Sequence, residues 1–365
     1  VRVGIIETLG ERRDPAAVAA LAGLLKGDDV ATVEGVLKAM GKIGTADAAD
    51  AVSKAQDLQA AKGLWADTML TCAKCLADAG QDDKAARLAQ AIYDGKNPTA
   101  TRTAALGMLV RSSKLKAMPL IVSALKSGDR SLSQAVAASM IQITGEEATA
   151  AFCGELANVP PAGQIVIINV LAARGDKTAA PDIVKMVSAG DQAVRAAAIA
   201  ALGSVGDASA VKVLAGRLAA ERPEADAARD ALERIDGKGV TDAMIQAAQA
   251  GPAEASKAML AILSTRKVEQ AVPTAYKLAA DASFGARAEA ARLIGALGGA
   301  EDVAKLTGLL LAEKDGGMAG EYANALRSAA IRAKQADPVI AAVAKADDAT
   351  KARLLEILGG VQGPQ

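Results

Sequence analysis

At 365 residues the chain exceeds the usual span of one compact core, which leaves two or three domains or one extended array. Apolar residues make up 51% and aromatics only 2%, which excludes a wholly disordered chain and requires an interior built from Ala, Leu, Val, Ile and Met. The 42 basic residues balance 42 acidic ones and histidine is absent, so no net field draws the chain to nucleic acid or anionic lipid, and every histidine-based nucleophile or metal site is excluded.

The opening segment, VRVGIIETLG, reads as the later part of a helix with an apolar anchor at Leu9. Comparable anchors follow at Met40, Leu76, Leu109, Met140, Leu171, Leu202, Leu232, Leu263, Ile294, Leu326 and Leu358. Their spacing is 30 to 36 residues, most often 31, so the chain is an internal repeat and each interval holds two helices. The helix that contains the anchor is the second of each pair.

In chain order, KGDD marks the first turn, and VATVEGVLKAMGKIG carries the helix of Met40. The longest interval surrounds Trp65 and predicts a lengthened helix or loop. TCAKCLAD then places Cys72 and Cys75 inside the helix of Leu76. GKNP, KSGD and SAGD are further turns, each supplying a glycine at a helix end or a helix N-cap. Pro119, Pro181 and Pro273 fall early in the intervening helices MPLIVSAL, APDIVKMV and VPTAYKLA, where a missing N–H costs little. A second irregularity, KDGGMAG, spans 314–320.

The clearest unit is GDQAVRAAAIAALGSVGDASAVKVLAGRL. Val194, Ala198, Leu202 and Val205, with Ile199 beside them, form one stripe of period 3.6, and Val211, Leu214 and Leu218 repeat it after the glycines. One such unit cannot bury its stripe alone, but stacked neighbours can. The expected fold is an all-α, right-handed superhelical α-solenoid of about 11–12 helix pairs, on the order of 100 Å long, forming a single array over 1–365. VRVGIIETLG begins inside a second helix and LLEILGGVQGPQ stops where the next pair is due, which reads as an array truncated at both ends, a segment of a longer protein.

This unit resembles a bacterial HEAT repeat of the phycobilisome-lyase type, with an Asp, Val-Arg, an Ala-rich helix ending Leu-Gly-x-x-Gly-Asp, and Ala-Val-x-x-Leu. The arginine recurs as Arg102, Arg195 and Arg287, becomes Lys351, and is missing from units such as VATVEGVLKAMGKIG, so no continuous Asp/Arg ladder is expected. From DGKGVTDAMIQAAQ onward the chain is similar to HEAT regions of large bacterial extracytoplasmic proteins, some of which carry a 3-keto-disaccharide hydrolase-like domain. The resemblance implies a periplasmic or extracytoplasmic location.

Four residue patterns invite chemical readings. Gly203/Gly206, with counterparts Gly41/Gly44 and Gly295/Gly298, have neither a strand before them nor a Lys-Ser/Thr after them, so they read as helix elbows rather than phosphate loops. Cys72/Cys75 form Cys-x-x-Cys within a helix, far from Cys153, which favours small core residues over a redox pair or half a zinc site. The acid pairs Asp28/Asp29, Asp82/Asp83, Glu146/Glu147 and Asp347/Asp348 fall at turns, where they cap helices. The aromatics Trp65, Tyr93, Phe152, Tyr276, Phe284 and Tyr322 are scattered singly, as packing residues are, and nominate no bilin-lyase site.

The residue two before each anchor points about 200° away from the core stripe and samples the face expected to be concave. That column reads Glu7, Lys38, Lys74, Gly107, Ala138, Asn169, Ala200, Asp230, Ala261, Arg292, Asn324 and Glu356. Its mixed signs and lack of aromatics argue against a base-flipping glycosylase or any nucleic-acid binder. The expected function is therefore a non-enzymatic protein-interaction scaffold or rigid spacer with no cofactor and no metal, whose candidate contacts are Glu7, Lys38, Lys74, Asn169, Asp230, Arg292, Asn324 and Glu356. The expected partner is a protein, not nucleic acid, and no apolar run spans a membrane. The alternatives are an accessory region of a carbohydrate-active enzyme and a self-associating envelope component.

Overall fold

The computed structural model describes residues 2–55 and 62–361, and among these every regular element is helical. Two compact units, Val1–Asp176 and Lys177–Gln365, divide the chain. In the first, the helices are α1 (Arg2–Glu11), α2 (Val18–Leu24), α3 (Val30–Ile43), α4 (Ala46–Ser53), α5 (Lys62–Asp78), α6 (Asp82–Asp94), α7 (Thr99–Ser113), α8 (Met118–Lys126), α9 (Arg130–Gln142), α10 (Glu146–Gly154) and α11 (Pro161–Arg174). In the second they are α12 (Ala180–Met186), α13 (Gln192–Val205), α14 (Ala208–Arg217), α15 (Glu224–Arg234), α16 (Val240–Ala250), α17 (Ala253–Thr265), α18 (Val272–Ala280), α19 (Arg287–Leu297), α20 (Ala300–Ala312), α21 (Gly316–Ala333), α22 (Asp337–Val343) and α23 (Asp348–Val361). Every odd-numbered helix contains one of the twelve anchors.

Within each unit consecutive odd helices pack side by side, and each even helix packs against the odd helix that follows it. The anchors lie on the buried side of this layer: all are buried except Leu9 and Leu358, which are partly exposed. In the best-defined unit Val194, Ala198, Ile199, Leu202 and Val205 are all at 0% exposure, as are Val211 and Leu214 across the elbow. Because each pair packs on the next within its unit, the apolar stripe read from spacing is buried between pairs.

Helix starts follow their caps. The carboxylate of Asp191 accepts from the Val194 N–H at 3.0 Å, and Asp129 accepts from Ser131 and Leu132 at 2.7 and 3.2 Å. Asp315 accepts from the Met318 N–H at 2.8 Å, so α21 begins inside KDGGMAG and runs for 18 residues. That irregularity is a lengthened helix. Around Trp65, α5 is likewise long at 17 residues, while the rest of that interval, 56–61, lies outside the described residues. Pro119, Pro181 and Pro273 each occupy the first turn of α8, α12 and α18.

Candidate functional site

The column two residues before the anchors lies on the outward side of the odd helices. Glu7, Lys38, Lys74, Asn169, Asp230, Arg292, Asn324 and Glu356 are all exposed. Their electrostatic situations differ. Arg292 is held between Glu289 at 2.7 Å and Glu321 at 2.6 Å, which stabilises its charged form, and Glu356 pairs with Arg327 at 3.0 Å. Lys74, Asn169, Asp230 and Asn324 stand apart, each on its own helix.

Glu7 and Lys38 share a cleft. Between α1 and α3 lies an open groove of about 580 Å³, walled by Glu7, Thr8 and Glu11 on one side and Lys38 and Lys42 on the other, with Gly4, Gly35 and Ala39 among them. Glu11 and Lys42 form an ion pair across it. The lysine lowers the Glu11 carboxyl below its ordinary value. Among the described residues Glu7 and Lys38 make no ion pair and no side-chain hydrogen bond.

The glycine pairs serve packing. A Cβ on Gly203 would lie 3.0 Å from the Cα of Ala231, and one on Gly295 would lie 2.6 Å from the Cα of Ala325, so the first glycine lets consecutive odd helices touch. The second ends the helix, but not in one conformation. Gly44 takes φ +64°, the left-handed region, whereas Gly206 and Gly298 are extended, at φ −66° and −61°. At Gly206 the need is space, since a Cβ would meet its own helix's Leu202 carbonyl oxygen at 2.3 Å.

Cys72 is buried against the carbonyl of Met40, and burial pushes its thiol up to about 12, so it is held as a neutral core group. Cys75 is half-buried against Gly41 and Gly44 of the same neighbouring helix. Both thiols are free. The acid pairs sit at helix starts, as with Asp82 and Asp83 in the first turn of α6 and Asp347 accepting from the Thr350 N–H at 2.8 Å. Each aromatic belongs to local packing: the Trp65 indole donates to Val52 at 2.8 Å, Phe152 is fully buried under Arg174, and the Tyr322 hydroxyl donates to Ala279 at 2.6 Å.

Sequence spacing did not reveal Arg266 and Arg332, which tie one pair to the next. Arg266 on the last turn of α17 donates to the carbonyls of Leu232 and Ile235, both at 2.7 Å, at the open C-terminus of α15. Arg332 does the same for α19 through Gly295 and Gly298, at 2.9 and 2.6 Å. These guanidinium groups satisfy carbonyls that a helix end leaves unpaired. Arg195 and Arg217 converge on the buried Glu224 at 2.7 and 3.4 Å, and Arg287 pairs with Glu313 at 2.5 Å. Arg102 instead donates to Tyr93 at 2.9 Å and stacks on its ring. The Val-Arg arginines thus form separate clusters.

Residues 1–61 and 154–233 match the family model for HEAT repeats. With every regular element among the described residues helical and each pair stacked on the next within its unit, each unit is an all-α solenoid. Among solved structures, an importin β chain is 12% identical, with 99% of this chain and 62% of that chain covered and a TM-score of 0.47. A structure concerning the interaction between cadherin and β-catenin is 14% identical over 99% of this chain and 96% of that one, with a TM-score of 0.34. Human deoxyhypusine hydroxylase is 18% identical over 69% of this chain and 98% of its own, with a TM-score of 0.31. The chain therefore spans less than two thirds of the importin β chain it matches. No curated protein matches the sequence. No helix among the described residues is long and apolar enough to cross a membrane.

Proposed function

We propose that the chain is a non-enzymatic protein-interaction scaffold or rigid spacer that presents the outward face of its odd helices to a protein partner. One observation carries this reading: the same position of successive HEAT-like pairs stays exposed, while the thiols, the aromatics and the glycine steps are occupied by packing between pairs. The recurring surface is what remains for binding. The alternative, an accessory region beside a carbohydrate-active domain of an extracytoplasmic bacterial protein, rests on the resemblance of residues 236–365.

Arg292 is unsuited to a charge-reversal test because its removal breaks the pairing with Glu321. A photo-activated cross-linker placed singly at Lys74, Asn169, Asp230 or Asn324, with controls at the exposed Ser123 and Lys212 of even helices, leaves those contacts intact. In native extract the column positions are expected to capture one common protein and the controls none. Equal capture at the controls, or none at the column, removes this face from consideration.

A further inference from the structure

We propose that the cleft between α1 and α3 seats an extended segment of a protein partner carrying one basic and one acidic side chain, the basic one against Glu7 and the acidic one against Lys38. The inference rests on the scaffold reading and names the chemistry of its partner at one place. Three features of the cleft carry it.

The first is shape. Near their C-terminal ends α1 and α3 are in tight contact, since a Cβ on Gly10 would lie 2.8 Å from the Cα of Ala39. One turn earlier the helices stay in van der Waals contact, a Cβ on Gly35 lying 3.7 Å from the Val3 and Ile6 side chains, while one on the exposed Gly4 would find nothing within 4 Å. Above this contact the groove is open, and its volume of about 580 Å³ falls in the range of ligand-binding clefts, roughly 300–1,000 Å³.

The second is charge. At the tight end Glu11 and Lys42 neutralise each other across the cleft. One turn earlier on each helix Glu7 and Lys38 face the same cleft unpaired. A carboxylate wall and an ammonium wall that do not close on each other are complementary to an occupant with its own charges in the opposite order. The lining carries two carboxylates and two ammonium groups, a net charge of zero, which disfavours a polyanion or a lipid headgroup array and favours a locally neutral, dipolar segment.

The third is the lining between the walls. Gly35 and Ala39 are buried beneath the groove, while Gly4 is exposed and carries no side chain, so a main chain can approach the backbone of α1 closely at that point.

The test is selection from a displayed library of six-residue peptides drawn from Lys, Asp, Ala and Ser, using the full chain as bait. The expected result is enrichment of peptides with one Lys and one Asp in a preferred order. The charge-exchanged chain, Glu7→Lys with Lys38→Glu, is expected to enrich the reverse order. Glu7→Gln or Lys38→Gln alone should weaken a selected peptide about two- to fivefold, the scale of one exposed ion pair. Unchanged far-UV ellipticity and Trp65 fluorescence establish that these exposed substitutions leave the fold intact. Absence of enrichment over the Glu7→Gln, Lys38→Gln double variant, or an order indifferent to the exchange, overturns the proposal. If cross-links persist at Asn169 and Asp230 while this selection fails, the cleft assignment alone has failed. If no column position cross-links, the scaffold reading has failed with it.

Discussion

At the scale of single residues, the glycines divide by what a methyl group would meet. Gly295 lies where α19 crosses α21, and a Cβ there would be 2.6 Å from the Cα of Ala325, a backbone atom with no rotamer to escape into. Gly295→Ala is expected to lower stability by about 1–3 kcal/mol, read as a fall in the urea midpoint at constant slope. Gly308 sits inside α20 with nothing within 4 Å. Gly308→Ala should raise stability by about 0.5–1 kcal/mol, read as a higher midpoint, because only the backbone entropy of the unfolded chain changes. The two substitutions are chemically identical and opposite in sign. The sequence showed that Gly203, Gly295 and Gly41 share a position; it did not show that the partner at that position is the next odd helix, 28 to 30 residues further on for Ala231 and Ala325.

At the scale of elements, buried guanidinium clusters join neighbouring pairs, and the cost of breaking one depends on its exposure. Glu224 is buried, its side chain 9% exposed, and serves Arg195 and Arg217 together, whereas Glu356 meets Arg327 with its side chain 70% exposed. Glu224→Ala leaves two half-buried cations without their carboxylate, facing only the carbonyls of Ala189, Gly190 and Val187, and is expected to cost about 2–4 kcal/mol, against less than about 0.5 for Glu356→Ala, both measured by urea unfolding. Glu313 supplies a pH signature. Hydrogen bonds from the Asp315 N–H and from Arg287 hold its carboxyl below the ordinary 4.5. A depressed folded pKa means the stabilisation is complete above the unfolded carboxylate range, about 4.3, and is lost as pH falls through the folded value. The urea midpoint of the wild-type chain should therefore fall more steeply below about pH 4.5 than that of Glu313→Gln. Sequence reading found Arg195 and Arg287 through the Val-Arg step, but not Glu224 or Glu313. These acids lie 29 and 26 residues from their arginines, outside any local motif.

At the scale of the whole molecule, the single tryptophan reports on one unit only. Trp65 belongs to Val1–Asp176, while ellipticity averages every helix. Repeat arrays transmit a local perturbation mainly to nearest neighbours. Gly295→Ala is accordingly expected to shift the ellipticity transition and leave the Trp65 fluorescence transition in place. A common shift in both would mean that the two units unfold as one cooperative body.

What the sequence determined by itself was the period. Twelve apolar anchors at intervals near 31, glycine and aspartate at the turns, and proline in first turns specify where helices begin, end and turn their apolar side, because these signals act within a few residues. It likewise placed Glu7, Lys38, Lys74, Asn169, Asp230, Arg292, Asn324 and Glu356 on the exposed side, since a 3.6-residue period fixes the face once the core stripe is known. Tertiary structure alone decided which of these exposed charges are already spent. Arg292 and Glu356 are paired with the next or previous helix, while Glu7 and Lys38 face a common cleft unpaired. Pairing depends on how closely two helices approach, and that distance is set by contacts such as Gly10 on Ala39 about 30 residues apart, which no local pattern encodes.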